Sequence, residues 1–68
     1  MSLAENIKKL RENAGLTQAE LAEEVGVTQV AIKYFENGER VPNAFKLIAI
    51  AKKLRTTCEE LMDEEMKT

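Results

Sequence analysis

The sequence predicts an all-α protein, a compact bundle of five short helices forming one domain over residues 1–68. Three observations predict it. Apolar residues recur at helical spacing in each stretch between the breakers Gly15, Gly26, Gly38 and Pro42, with a weaker break near Arg55-Thr56-Thr57. Helix-capping residues stand at the head of four of those stretches. Only one Pro and three Gly occur in 68 residues, and no alternating apolar–polar run marks a strand.

The first helix is expected over about 3–14, "LAENIKKLRENA", where Leu3, Ile7, Leu10 and Ala14 share a stripe opposite the charges. Gly15 stops it in the left-handed conformation. "TQAE" then reads as a capping box, with Thr17 as N-cap and Glu20 at the third helical position. The second helix, 18–25, turns Leu21, Ala22 and Val25 inward and ends at Gly26. Thr28 caps the third helix, 29–37, which closes on Asn37-Gly38. Asn43, just after Pro42, caps the fourth, 44–54. Its residues Phe45, Leu47, Ile48, Ile50, Ala51 and Leu54 cover more than half the circumference, which predicts the central helix of the bundle. Thr57 with Glu60 forms a second capping box, opening a fifth helix over 58–66 that carries Leu61 and Met62.

Composition excludes several kinds of chemistry. There is no His and a single Cys, Cys58, so no internal disulfide, common zinc spacing, Cys–His pair or Ser–His–Asp triad can be written. Cys58 reads as a small apolar residue. No apolar run approaches the ~20 residues of a membrane span, and no signal peptide is visible, so the protein is expected in the cytoplasm. The net charge of −2 is unevenly placed. Up to Cys58 there are nine Lys and Arg against seven acids, whereas 59–68 carry five acids and Lys67. The acidity therefore belongs to the tail.

The second and third helices carry a motif. Ala22 lies four residues before Gly26, Ile32 six after it, and Phe35 three further on. Two helices crossing near a right angle over a tight turn need this pattern. The small Ala22 permits close approach, Gly26 supplies a positive φ, and Ile32 with Phe35 locks the second helix onto the first. On the other face of the third helix stand Gln29, Val30, Lys33 and Tyr34, an odd mixture for a plain solvated surface.

The stretch "LTQAELAEEVGVTQVAIKYFENGERVPN" resembles the helix-turn-helix of the phage Cro and repressor DNA-binding domains, the XRE family. The resemblance runs from about Leu3 to Met62 and includes "LR" at 10–11, "GLTQAELA", "FENG" and "CEEL". It implies a lambda-repressor-like domain that reads double-stranded DNA, with the third helix in the major groove. Gln29, Val30, Lys33 and Tyr34 are then the expected base contacts. A Gln can hydrogen-bond adenine bidentately, and a Val can touch a thymine methyl. Thr17, Gln18, Thr28, Asn37, Arg40, Asn43 and Lys46 are the expected phosphate contacts, with Gln18 alternatively bracing Gln29 and Arg40 alternatively reaching the minor groove. Caps alone account for Thr17, Thr28 and Asn43.

The resemblance also implies a partly buried ion pair between Arg11 and Glu36, joining the first and third helices. It implies a homodimer, for which Leu61, Met62 and Met66 are the expected interface; the tail "EELMDEEMK" otherwise reads as a solvated acidic end. Two departures stand out. The position of Arg55 is commonly Gly or Asn in the family, so either Arg55 bears the strain of a positive φ or the connection before the fifth helix differs. Glu39 places an acid where Lys is common. The expected function is a sequence-specific transcriptional regulator, most simply a repressor on a two-fold-symmetric operator. The alternative is a protein-interaction module, such as an antitoxin or accessory subunit, that keeps the fold with weak or no DNA binding. No cofactor, metal or small-molecule ligand is expected, and no enzyme.

Overall fold

A computed structural model describes residues 2–63. Among these residues the chain is five α-helices with no strand: α1 (Leu3–Asn13), α2 (Gln18–Val25), α3 (Gln29–Asn37), α4 (Ala44–Lys53) and α5 (Cys58–Met62). No helix is long and apolar enough to cross a membrane.

Local chemistry sets the helix starts. Thr17 Oγ1 accepts from the Glu20 N–H at 3.0 Å while Glu20 Oε1 accepts from the Thr17 N–H at 2.9 Å, a complete capping box. Ser2 and Glu5 form a second complete box at the start of α1, which the sequence reading had not singled out. The backbone N–H groups of Ser2 and Thr17, and secondarily their hydroxyls, hold the Glu5 and Glu20 carboxyls below the usual carboxylate range. The expected box at α5 forms only in half. Thr57 Oγ1 caps the Glu60 N–H at 3.0 Å, but Glu60 Oε2 takes the Thr56 hydroxyl at 2.8 Å instead of reaching back to Thr57.

The helix ends correct the expected boundaries slightly. Ala14 is the C-cap of α1 and is exposed rather than on the buried stripe. Leu54 is the C-cap of α4. α5 stops at Met62, because Asp63 is already extended at φ −75°, ψ 118°. Asn6 reaches this helix end. This fully buried side chain in α1 donates from Nδ2 to the carbonyls of Leu61 at 2.7 Å and Asp63 at 2.9 Å. The buried amide thus fastens the end of α5 to α1. Residues 64–66 of the expected fifth helix lie outside the described residues.

Ile7, Leu21, Ile32, Ile50 and Leu61 are wholly inaccessible and join all five helices into one core. α3 lies between α1 and α2, while α4 packs on α2 and α5. The expectation that α4 is the central helix is therefore overturned. Leu47, Ala49, Ile50, Ala51 and Leu54 turn inward, whereas Phe45 is 83% exposed and Ile48 45% exposed. A broad apolar arc permits burial on several sides, but α4 packs chiefly on α2 and α5 and leaves Phe45 and Ile48 uncovered.

Arg55 bears the strain. Its φ is +56°, the sole positive value among non-glycine residues described. Arg55→Gly is expected to raise stability by about 0.5–1 kcal/mol, somewhat less than the strain because Gly enlarges the unfolded ensemble. Urea unfolding of the two proteins measures it, and an unchanged or lower midpoint contradicts it.

Candidate nucleic-acid interface

The site is built on α3. At about 100° per residue, Gln29, Val30, Lys33, Tyr34 and Asn37 fall within an arc of roughly 140°. Ala31, Ile32, Phe35 and Glu36 point to the other side, where Ile32, Phe35 and Glu36 are buried. Thr28 Oγ1 caps α3 by accepting from the Ala31 N–H at 3.1 Å. This leaves the Gln29 and Val30 amides at the positive end of the helix dipole without an intrahelical partner. Gln29 and Lys33 are exposed, and Val30 is 55% exposed, an apolar side chain in a polar setting. Tyr34 is half-buried. The Arg40 guanidinium lies over its ring at 5.2 Å from the centroid.

The turn before α3 is held firmly. Gly26 ends α2 at φ +74°, a conformation that strains any side chain. Lys46 Nζ donates to the Gly26 carbonyl at 3.3 Å. Lys46, an expected phosphate contact, thus has its ammonium at the helix-turn corner, fastening α4 to the end of α2. Asn43 Oδ1 accepts from the Lys46 N–H at 2.9 Å and acts as the cap of α4. Thr17, Thr28 and Asn43 all spend a side-chain oxygen on capping. Asn37 and Arg40 are exposed at the far end of α3.

Behind the face lies a buried polar network. Arg11 donates from Nε to Glu36 Oε2 at 2.6 Å and from Nη2 to Glu36 Oε1 at 3.1 Å, and from Nη1 to the Leu16 carbonyl at 2.7 Å. Both side chains are nearly inaccessible, 10% and 2% exposed. Hydrogen bonding to Glu36 raises the Arg11 pKa further above its ordinary value. Gln18, at the first position of α2, donates from Nε2 to Glu36 Oε1 at 3.1 Å. Its amide therefore braces Glu36, not Gln29 as one alternative had it. The sequence held no local sign of this bond across 18 positions.

Two helices packed together across a positive-φ glycine, the second presenting a polar arc outward, have the arrangement of a helix-turn-helix. Residues 7–61 match the family model described as Helix-turn-helix. The chain belongs to the helix-turn-helix family. The helix-turn-helix domain is 37% identical over 65 residues to the transcriptional activator BcrR of Enterococcus faecalis, covering 96% of this chain and 32% of that protein. It is 33% identical over 61 residues to RstR, the transcriptional repressor of the cryptic phage CTXphi in Vibrio cholerae, covering 90% of this chain and 54% of that protein. The domain thus spans about a third to a half of the curated relatives it matches. In three dimensions it overlays the c2 repressor of Salmonella phage P22, in complex with a synthetic operator, at a TM-score of 0.91 and 32% identity. That overlay covers 96% of this chain and 98% of the other.

The expected dimer residues fare differently. Leu61 is wholly buried in the core, which removes it as an interface residue. Met62 is 60% exposed, and Met66 lies outside the described residues. The exposed apolar surface instead gathers Phe45 and Ile48, one turn apart on α4, with Val41 just upstream at 77% exposed.

Proposed function

We propose that the chain is a sequence-specific reader of double-stranded DNA and a transcriptional regulator, most simply a repressor that occupies a two-fold-symmetric operator. The observation that carries this is the outward arc of α3. It offers Gln29 for adenine, Val30 for a thymine methyl and Lys33 for a base edge or phosphate, on a helix fixed at both ends by caps and at its back by Glu36. The likeness to a repressor in complex with its operator supports it. Thr17, Gln18, Thr28, Asn37, Arg40, Asn43 and Lys46 stand as the phosphate candidates, Gln18 and Lys46 through donor hydrogens left over from their internal bonds. A regulator of this kind would act in the cytoplasm of a prokaryotic cell.

A single small reader covers few base pairs, so a homodimer with two recognition helices one DNA turn apart, ~34 Å, is the economical arrangement. Phe45, Ile48 and Met62 replace Leu61 as its candidate core, since α4 and α5 touch and these side chains are exposed. Ile48→Glu with Phe45→Glu is expected to shift the protein to monomer in sedimentation and to weaken operator binding at least tenfold, with the helical circular-dichroism spectrum unchanged. An unchanged dimer places the interface elsewhere.

Selection from a randomised duplex library at two salt concentrations tests the function. Enrichment of a symmetric sequence, with affinity falling as salt rises, is the expected result. No enriched sequence and no salt dependence would overturn it. The net charge of −2 and the exposed apolar surface of α4 would then favour the alternative, a protein-interaction module such as an antitoxin or accessory subunit.

A further inference from the structure

Tyr34 shares the outward arc of α3 with Gln29, Val30 and Lys33, yet its surroundings differ. It is half-buried where those three are exposed. The Arg40 guanidinium covers its ring at 5.2 Å. The main chain enforces this approach independently of the stack. Gly38 turns the chain at φ +77°, and the Glu39 and Arg40 N–H groups both donate to the Tyr34 carbonyl, at 2.9 and 3.3 Å. Arg40 is thereby folded back onto the residue six positions before it. Two residues further on, Pro42 is buried, so the loop is anchored beyond Arg40 as well.

Arg40 keeps its charge available. Neither ion pair among the described residues involves it, and it is exposed. A free arginine loses much rotamer freedom when it binds an anion. One already laid on an aromatic face loses less, and its planar fork stays able to donate in pairs to phosphate oxygens.

We propose that Tyr34 is a positioning residue and not a base reader: its carbonyl holds the Arg40 main chain and its ring the Arg40 guanidinium at the end of the recognition helix, aimed at a DNA phosphate. This rests on the DNA-binding function above. It removes Tyr34 from the base contacts and leaves the sequence code to Gln29, Val30 and Lys33.

The two roles separate experimentally, because a phosphate contact carries salt dependence and a base contact carries sequence preference. The parent, Tyr34→Leu, Tyr34→Phe, Arg40→Ala and the Tyr34→Leu/Arg40→Ala double variant would be titrated onto the selected duplex across a salt series. Each would also be passed through the randomised library. Arg40→Ala is expected to flatten the slope of log affinity against log salt by about 0.9 per subunit. Tyr34→Leu flattens it comparably, the double variant adds little, Tyr34→Phe restores the parent slope, and the enriched sequence stays the same throughout. In the free protein the Arg40 side-chain protons carry an upfield ring-current shift in NMR spectra, lost in Tyr34→Leu. Relaxed preference at one base pair in Tyr34→Leu would overturn the proposal, as would additive losses in the double variant or an absent ring-current shift. If the parent itself binds no duplex DNA, the functional assignment falls and the positioning role falls with it. Binding by the parent with any of the contrary variant results overturns the positioning role alone.

Discussion

Glu36→Ala is expected to lower the free energy of unfolding by about 3–5 kcal/mol. A domain of this size is stable by only about 3–10 kcal/mol, so the variant would be largely unfolded near its former melting temperature. The reason is what remains after the carboxylate goes. Arg11 keeps a charge that is buried between α1 and α3 with two of its three hydrogen bonds gone, and Gln18 loses its partner at the head of α2. Leaving a buried cation unpaired costs far more than the pair contributes relative to an apolar replacement. The double variant Arg11→Met/Glu36→Leu is therefore expected to be much closer to the parent than Glu36→Ala. The raised Arg11 pKa sets the pH window. A raised pKa contributes stability that is fully present below the ordinary arginine value, so the Arg11 side of the pair holds at every pH used in a urea titration. A loss under about 1 kcal/mol in Glu36→Ala would contradict the strong desolvation on which the estimate rests.

Gln29→Ala is expected to relax the operator at one base pair per half-site. A bidentate Gln–adenine pair discriminates by about 1–3 kcal/mol, and a symmetric dimer makes it twice, so specific affinity should fall by about 2–6 kcal/mol. Non-specific affinity and its salt slope should hardly move, because Gln29 carries no charge. The thermal midpoint should also stay, since Gln29 is exposed and its side chain makes no hydrogen bond among the described residues. Binding to the selected operator and to an unrelated duplex, compared at one salt concentration, measures the difference. Equal losses on both duplexes would place Gln29 on the backbone instead of a base.

The helix-turn-helix corner was legible in the sequence because its determinants are local. Thr17 with Glu20, the left-handed Gly26, and the spacing of Ala22, Ile32 and Phe35 each act within a few residues, and the structure shows them doing so. The Arg11–Glu36 bond was accessible only through resemblance, since nothing local joins positions 25 apart. Gln18 shows the limit more sharply. Its place at a helix start pointed outward, while its bond to Glu36 depends on how α2 and α3 cross. Periodicity misled at α4, because an apolar arc records what can be buried and not which neighbour covers it. Phe45 and Ile48 are the uncovered part. Asn6 was invisible for a related reason, a polar residue amid charges whose two acceptors lie 55 and 57 positions away.

That hold of Asn6 on Leu61 and Asp63 bears on how the protein is made. α1 precedes its partners in the sequence, yet Ile7 shares its core with Leu61, and among the described residues the Asn6 amide donates to carbonyls 55 and 57 positions later. Until residue 63 has left the ribosome, α1 can lean on α3 but carries an open apolar edge and a polar amide that only water can satisfy. The fastening of α1 to α5 is therefore a long-range closure, made only when residues 61–63 are in place.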